Sequence, residues 1–172
     1  MNYFLIFVFS VLTGFVGHFL YKFSNENKIV ALFFAVNEST WEHIKIGLTP
    51  LFLSTFIDAF FNGYLHNFWF NKFVSILCFV IILPLLFYTY KFVLKRHFLI
   101  IDIFIFVFSL FISVLLNYYL DYNYVGFNLN FIGVFGIFLF LLAYFTWTYN
   151  PPRWFLFKDP ILNSYGLKTK VE

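Results

Sequence analysis

Acidic and imidazole side chains concentrate in one short stretch, Asn37-Glu38-Ser39-Thr40-Trp41-Glu42-His43. On a helix, residues three and four apart share a face, so Glu38 and Glu42 lie side by side and His43 lies next to them. Two carboxylates beside an imidazole can share a proton or hold a divalent metal ion. This stretch is therefore the first candidate in the chain for catalytic or metal-binding chemistry.

Two residues outside this stretch complete the candidate set. His18 lies near the end of the first apolar run, where an ionisable side chain predicts a function, and Gly14 and Gly17 allow a neighbouring helix to approach it closely. Asp159 lies in an aromatic-rich tail that can fold back on the same face. The set suits a divalent metal ion or metal-free acid–base chemistry. The candidate catalytic residues are His18, Glu38, Glu42, His43 and Asp159, and the first four are also the candidate metal ligands.

A structural explanation competes for part of this set. Ser39 fits the N-cap of a helix, and Glu42 fits the position of a capping box that satisfies free backbone donors. Lys45 then extends its ammonium group toward the membrane surface. These roles account for Ser39 and Glu42, but they leave His18 and Glu38 without an explanation.

The elements that position these residues are apolar runs long enough to cross a bilayer. The chain is 62% hydrophobic and 11% charged, which excludes an ordinary soluble domain. Crossing a ~30 Å hydrocarbon core takes about 20 residues in a helix. We predict an all-α integral membrane bundle in a single membrane domain, residues 1–172, with a cytoplasmic tail at 150–172. The five predicted transmembrane helices, of which the third is the shortest, are 3–23, 44–65, 73–90, 98–120 and 129–149.

A sixth apolar segment, residues 29–36, is too short to span the membrane. Even as a helix, its length is only ~12 Å. We expect it to lie along the interface or to dip in as a re-entrant turn on the cytoplasmic side. In either case it delivers Asn37 and Glu38 toward His18.

Basic residues give this plan an orientation. Of the 11 lysines and arginines, all except Lys72 fall on one side of the five helices. Because cytoplasmic loops retain positive charge, we predict a multi-pass protein of the cell membrane, the bacterial inner membrane, with the N-terminus outside and the C-terminus cytoplasmic. This charge suits anionic lipid headgroups and gives no case for nucleic acid. His66, Asn67 and Asp121 are expected to be ordinary residues of the outer loops, and Asp58 a paired or protonated carboxylate of the interior.

Three motifs carry a resemblance to a known family. They are Gly17-His18-Phe19-Leu20-Tyr21, the pattern Asn-Glu-Ser-x-Trp-Glu-His at 37–43, and Tyr149-Asn150-Pro151-Pro152. In this order they resemble a small bacterial integral-membrane family catalogued as a domain of unknown function, over essentially the whole chain. The resemblance implies a multi-span membrane protein. It supplies no activity, substrate, cofactor or site residues.

Three classes of function are left open. One is a membrane-embedded enzyme acting on a lipid-like or small-molecule ligand, one a transporter or channel subunit with a proton or cation path, and one a scaffold or accessory subunit for an unidentified protein partner. A pocket open to one face favours the enzyme, a continuous polar line favours transport, and complete internal pairing favours the scaffold. The concentration of polar residues at one depth on one face favours the enzyme.

Single cysteines at Asn123 and Asn163, each in a Cys78→Ala background, test the predicted orientation. An impermeant thiol reagent added to intact cells is expected to label Asn123→Cys, because the fourth connection lies outside, and to leave Asn163→Cys unlabelled. Permeabilised cells are the control, in which both positions react. Labelling of Asn163→Cys alone in intact cells contradicts the orientation.

Overall fold

The computed structural model describes residues 2–96, 98–123 and 126–167 of the chain. Lys168 and Lys170, which count toward the predicted positive charge of the tail, lie outside the described residues. Within those residues the chain is helical and has no β-strand. The helices are α1 (Tyr3–Phe23), α2 (Lys28–Phe33), α3 (Thr40–Asn62), α4 (Phe68–Leu94), α5 (Leu99–Tyr122) and α6 (Asn130–Tyr149), followed by a 3₁₀ turn at Phe155–Phe157.

All helices except α2 are long and apolar enough to cross a membrane, which confirms the predicted all-α bundle with five spans. The chain is therefore a multi-pass membrane protein. The prediction that the third span is the shortest is wrong, since α4 has 27 residues and is the longest helix. Asn71 and Lys72 resemble the polar end of a span in the sequence. In the structure both side chains are buried and bonded to partners on other helices, so α4 continues through them.

The central helix of the bundle is α3. Of its most apolar stretch 67% is buried, against 33% or less in each of the other four spans. It packs against α1, α2, α4, α5 and the 3₁₀ turn. Ser39 caps its first turn by accepting the Glu42 backbone N–H at 3.4 Å, which confirms the predicted N-cap, and α3 begins four residues before the predicted start of the span at 44. Polar side chains on α3 consequently face protein.

The short helix α2 does not cross the bundle, and this confirms the expectation that residues 29–36 do not span the membrane. Its six residues are capped by the side chain of Asn27, which accepts the backbone N–H groups of Ile29 and Val30. The helix packs against α1, α3 and α6, and Ala31 is completely buried there. The segment thus covers one end of the bundle and leads the chain into Asn37 and Glu38.

Two phenylalanine rings, each packed against a glycine of another helix, cross the interior. We call this group the aromatic layer: Gly14, Phe106, Phe79 and Gly47. The rings of Phe106 and Phe79 meet edge to face with their centroids 6.2 Å apart. Phe106 lies against Gly14 of α1 and Phe79 against Gly47 of α3, where a Cβ would overlap the ring. The layer therefore joins four helices with apolar groups alone, and only glycine at these two positions leaves room for it.

Candidate functional site

Three of the predicted residues converge at one end of the bundle, in a group that we call the histidine site: His18, Glu38 and His43. The two oxygens of Glu38 face the two imidazoles, with Oε1 3.7 Å from His18 Nε2 and Oε2 3.9 Å from His43 Nε2. One ligand atom from each residue lies within 4.8 Å of the other two. All three side chains are half-buried. They come from α1, from the loop before α3 and from the first turn of α3.

The separations within the histidine site are too long for direct hydrogen bonds and short enough for a shared bridging atom. A nitrogen–oxygen hydrogen bond ends near about 3.2 Å. Two ligands of a tetrahedral zinc ion, each about 2.1 Å from the metal, are about 3.4 Å apart. The 3.7 Å and 3.9 Å separations shrink to that value through small side-chain rotations. Two histidines and one carboxylate are thus placed to hold a metal ion or a bridging proton donor.

The backbone sets the tautomer of His43. Its Nδ1 lies 2.9 Å from the carbonyl oxygen of Ser39. Because a carbonyl oxygen only accepts, Nδ1 carries the proton, and in the neutral ring Nε2 presents its lone pair to Glu38. Histidines that bind metals commonly donate their second N–H to a carbonyl in this way, which fixes the ring orientation.

Asp159 supports the site from the tail. Its Oδ2 accepts the backbone N–H of Glu38 at 3.3 Å, and its Oδ1 accepts those of Ile161 and Leu162 at 2.7 Å and 3.1 Å. The tail does fold back next to Glu38. The buried Asp159 carboxylate, however, is engaged by three backbone donors, and it does not belong to the three-residue group of ligand atoms. Its geometry is that of a positioning residue for Glu38.

Asn37 fastens the same loop at a second point. Its Nδ2 donates to the carbonyl oxygen of Gly166 in the tail at 3.1 Å, and its Oδ1 accepts the backbone N–H of Ser39 at 2.9 Å. On the other side, the ring of Phe34 lies against Gly17 of α1, one residue before His18. The loop that carries Glu38 is consequently held between α1 and the tail.

Glu42 and Lys45 form a buried ion pair, and both expected roles need correction. Lys45 Nζ lies 2.6 Å from Glu42 Oε2, and neither side chain is more than 1% exposed. Lys45 was expected to reach the membrane surface, and that is wrong, because α2 and α6 enclose it and supply acceptors at Ala31 (2.8 Å) and Thr148 (3.5 Å). The Glu42 carboxylate accepts the backbone N–H of Val36 at 3.0 Å instead of closing a capping box on Ser39. Glu42 is therefore absent from the group of ligand atoms around Glu38.

The histidine site opens into a pocket of about 220 Å³ at the surface of the bundle. On the inner side lies the aromatic layer, since Gly14 precedes His18 by four residues and Gly47 follows His43 by four. Four residues of helix correspond to about 6 Å. The site is thus open toward one face and closed toward the interior. The pocket walls are His18, Lys22, Ala35, Val36, Asn37, Glu38, Asp159, Ile161 and Leu162.

A second polar network lies at the opposite end of the bundle and was not predicted from the sequence. Lys72 Nζ lies 2.7 Å from Asp58 Oδ2 and donates to Asn117 Oδ1 at 2.8 Å, so the expectation that Asp58 is paired or protonated resolves to an ion pair. Asp121 accepts from Asn71 and from the hydroxyl of Tyr3, each at 2.7 Å. Side chains of four helices meet here around a cavity of about 490 Å³.

Two residues assigned to ordinary outer loops belong to this end and need correction. Asp121 lies within α5 and bonds to α1 and α4, and Asn67 is buried and bonds to the backbone of Phe127 (2.9 Å) and Leu129 (2.6 Å). The regular spacing of Ser109, Ser113, Asn117 and Asp121 on one face of α5 was a readable signal of a polar helix contact.

Comparison with known proteins shows the family to which the chain belongs. A sequence profile of a family of unknown function, DUF6512, matches residues 2–167. The chain belongs to this family. Membership in DUF6512 confirms the predicted resemblance to a family of unknown function over nearly the whole chain, and it assigns no activity. Neither the curated proteins nor the solved structures gave a match.

Removing one charge of the Glu42–Lys45 pair should destabilise the fold strongly. Glu42→Gln still accepts the Val36 N–H but leaves the Lys45 ammonium buried without its anion, which costs about 3–5 kcal/mol. Glu42→Gln/Lys45→Met removes both charges and should recover most of that loss. Unfolding in detergent, followed by circular dichroism, measures the free energies. Glu26→Gln, on the exposed Glu26, is the control and should stay within about 0.5 kcal/mol of wild type. Equal stability of Glu42→Gln and wild type contradicts the structural role.

Proposed function

We propose that this protein is a membrane-embedded enzyme that uses a divalent transition-metal ion, held by His18, Glu38 and His43, on a lipid-like substrate at one face of the membrane. The observation that carries the proposal is the convergence of three ligand atoms within 4.8 Å, in a pocket open to one face only. Two imidazoles and one carboxylate are the ligand set of many catalytic metal sites, which leave a position for water or substrate.

The chemistry of the donors supports a transition metal over calcium or magnesium. Imidazole suits zinc and iron, whereas calcium and magnesium prefer oxygen ligands alone. When bound, such an ion polarises a substrate oxygen or activates a water molecule. The chain itself contributes the fixed His43 tautomer and the loop that presents Glu38. Structural zinc sites use four protein ligands, and three ligands beside a pocket favour a catalytic site.

The position of the pocket supports a substrate taken from the bilayer. Apolar side chains of the tail, Ile161 and Leu162, form part of its rim, and both are largely exposed. We place this face on the cytoplasmic side of a bacterial plasma membrane, because Lys22, Lys91 and Lys95 lie at this end of α1 and α4. A lipid-like molecule can reach such a rim from the adjacent leaflet without leaving the membrane.

A proton or cation path is the second candidate, favoured by the Asp58–Lys72 network at the opposite end. The aromatic layer argues against it, because Phe79 and Phe106 separate the two polar ends with apolar rings. The scaffold reading requires that all polar groups pair internally. Glu38 lies outside hydrogen-bond distance of both histidines, and this unpaired arrangement argues against a scaffold function.

Metal analysis of the detergent-purified protein tests the proposal. After exposure to zinc and removal of the excess, wild type should retain about one ion per chain. His18→Gln, Glu38→Gln and His43→Gln should each weaken zinc binding at least about tenfold, the loss that even an outer-shell change produces. His66→Gln is the matched control, because His66 borders the cavity at the opposite end. Equal zinc content in all five proteins, or none in wild type, contradicts the metal site.

The enzymatic part has its own readout. Cells that lack the protein should differ in their lipid profile from cells that carry wild type, and Glu38→Gln should fail to restore the difference although the variant protein is present in the membrane. Restoration by Glu38→Gln equal to wild type contradicts an enzymatic role for the site.

A further inference from the structure

A lysine, Lys22, lines the pocket of the histidine site. Lys22 follows His18 by four residues on the same face of α1, and both line the pocket. Among the residues that the structure describes, no carboxylate lies within ion-pair distance of Lys22. The basic residues of the interior behave differently, since Lys45 and Lys72 each have a carboxylate partner. Lys22 is free to bind an anion that enters the pocket.

The tail contributes two apolar side chains, Ile161 and Leu162, to the other side of the pocket, next to Asp159. Ile161 and Leu162 are 71% and 62% exposed, yet their backbone N–H groups are bonded to Asp159, and Asp159 also holds Glu38. The backbone of this segment is therefore held in place relative to the histidine site. A molecule that meets both sides of the pocket needs an anionic head and an apolar chain.

The size of the pocket limits the head. Sites for drug-sized molecules have volumes of about 300–1,000 Å³. The pocket is smaller, at about 220 Å³. It has room for a compact head and leaves the chain in the bilayer, against the two tail residues. Among compact anions, phosphate has several oxygens that can bind a metal ion and an ammonium group at once.

We propose that the histidine site binds the phosphate head of a single- or double-chain lipid phosphate. One phosphate oxygen binds the metal ion, another accepts from the Lys22 ammonium group, and the chain lies along Ile161 and Leu162. This inference rests on the proposed metal site, and it names the substrate class of that site.

The experiment compares two phosphates and two lysines. Zinc-loaded wild type, Lys22→Gln and Lys28→Gln, purified in dodecyl maltoside, are titrated calorimetrically with dodecyl phosphate and with inorganic phosphate. Lys28 is the matched control, because it is an exposed lysine at the same end and lies outside the pocket. Lys22→Gln should weaken dodecyl phosphate binding about tenfold, the usual effect of losing one charged hydrogen bond. Lys28→Gln should change it by less than about twofold.

The chain of the ligand is tested by a third variant. Wild type should bind dodecyl phosphate more tightly than inorganic phosphate, and Leu162→Gln should reduce that difference. Equal affinity of wild type for the two probes indicates a site for free phosphate and overturns the lipid assignment. Equal effects of Lys22→Gln and Lys28→Gln indicate unspecific surface charge and overturn the role of Lys22.

The zinc content of the same samples separates this inference from the proposed function. If wild type holds about one zinc ion per chain and binds neither phosphate, the substrate inference fails and the metal site stands. If wild type holds no zinc, the proposed function fails and this inference fails with it. The inference is supported if wild type, Lys22→Gln and Lys28→Gln hold equal amounts of zinc and only Lys22→Gln loses affinity for dodecyl phosphate.

Discussion

The arrangement of the histidine end depends on one buried ion pair, Glu42 with Lys45. Both charges are removed from water, so each must be satisfied by the protein. Their remaining partners are the Ala31 carbonyl of α2, the Thr148 hydroxyl of α6 and the Val36 N–H of the loop after α2. A buried charge that binds backbone in this way fixes the chain, because releasing the segment would leave the charges unsatisfied. The ion pair thereby holds in place the loop that presents Glu38 two residues later.

The bundle has a polar cluster at each of its two ends. Lys72 with Asp58 joins α4 to α3 at one end, Lys45 with Glu42 fastens α2 to α3 at the other, and the aromatic layer lies between them. In a bilayer, where apolar faces gain little from meeting each other, interhelical hydrogen bonds and close packing hold helices together. The interhelical bonds of the Asp58 network meet this need. The histidine site is different, since its three side chains are half-buried and make no direct hydrogen bond to one another.

The sequence alone predicts the helices and much of the histidine site. Long apolar runs define the five spans, the length of residues 29–36 shows that they cannot cross, and Ser39 marks the start of α3. The grouping of His18 with Glu38 and His43 follows from their common depth. The ion pairs of Lys45 with Glu42 and of Lys72 with Asp58 cannot be predicted in this way. They depend on how each helix is rotated and on which faces meet. A lysine near a predicted helix end suits a surface position equally well until the covering element, here α2, is known. Asn67 was misjudged for the same reason, since its partners belong to a loop distant in sequence.

X-ray absorption at the zinc edge tests the central claim most directly, because it reports the atoms bound to the metal. For the zinc-loaded wild-type protein, we predict two imidazole nitrogens and a carboxylate oxygen at about 2.0–2.2 Å, with the remaining position taken by a water oxygen. In His43→Gln the imidazole signal should fall by half. A zinc environment made of oxygen atoms alone, or one that is unchanged in His43→Gln, would contradict the claim that His18, Glu38 and His43 form a metal site.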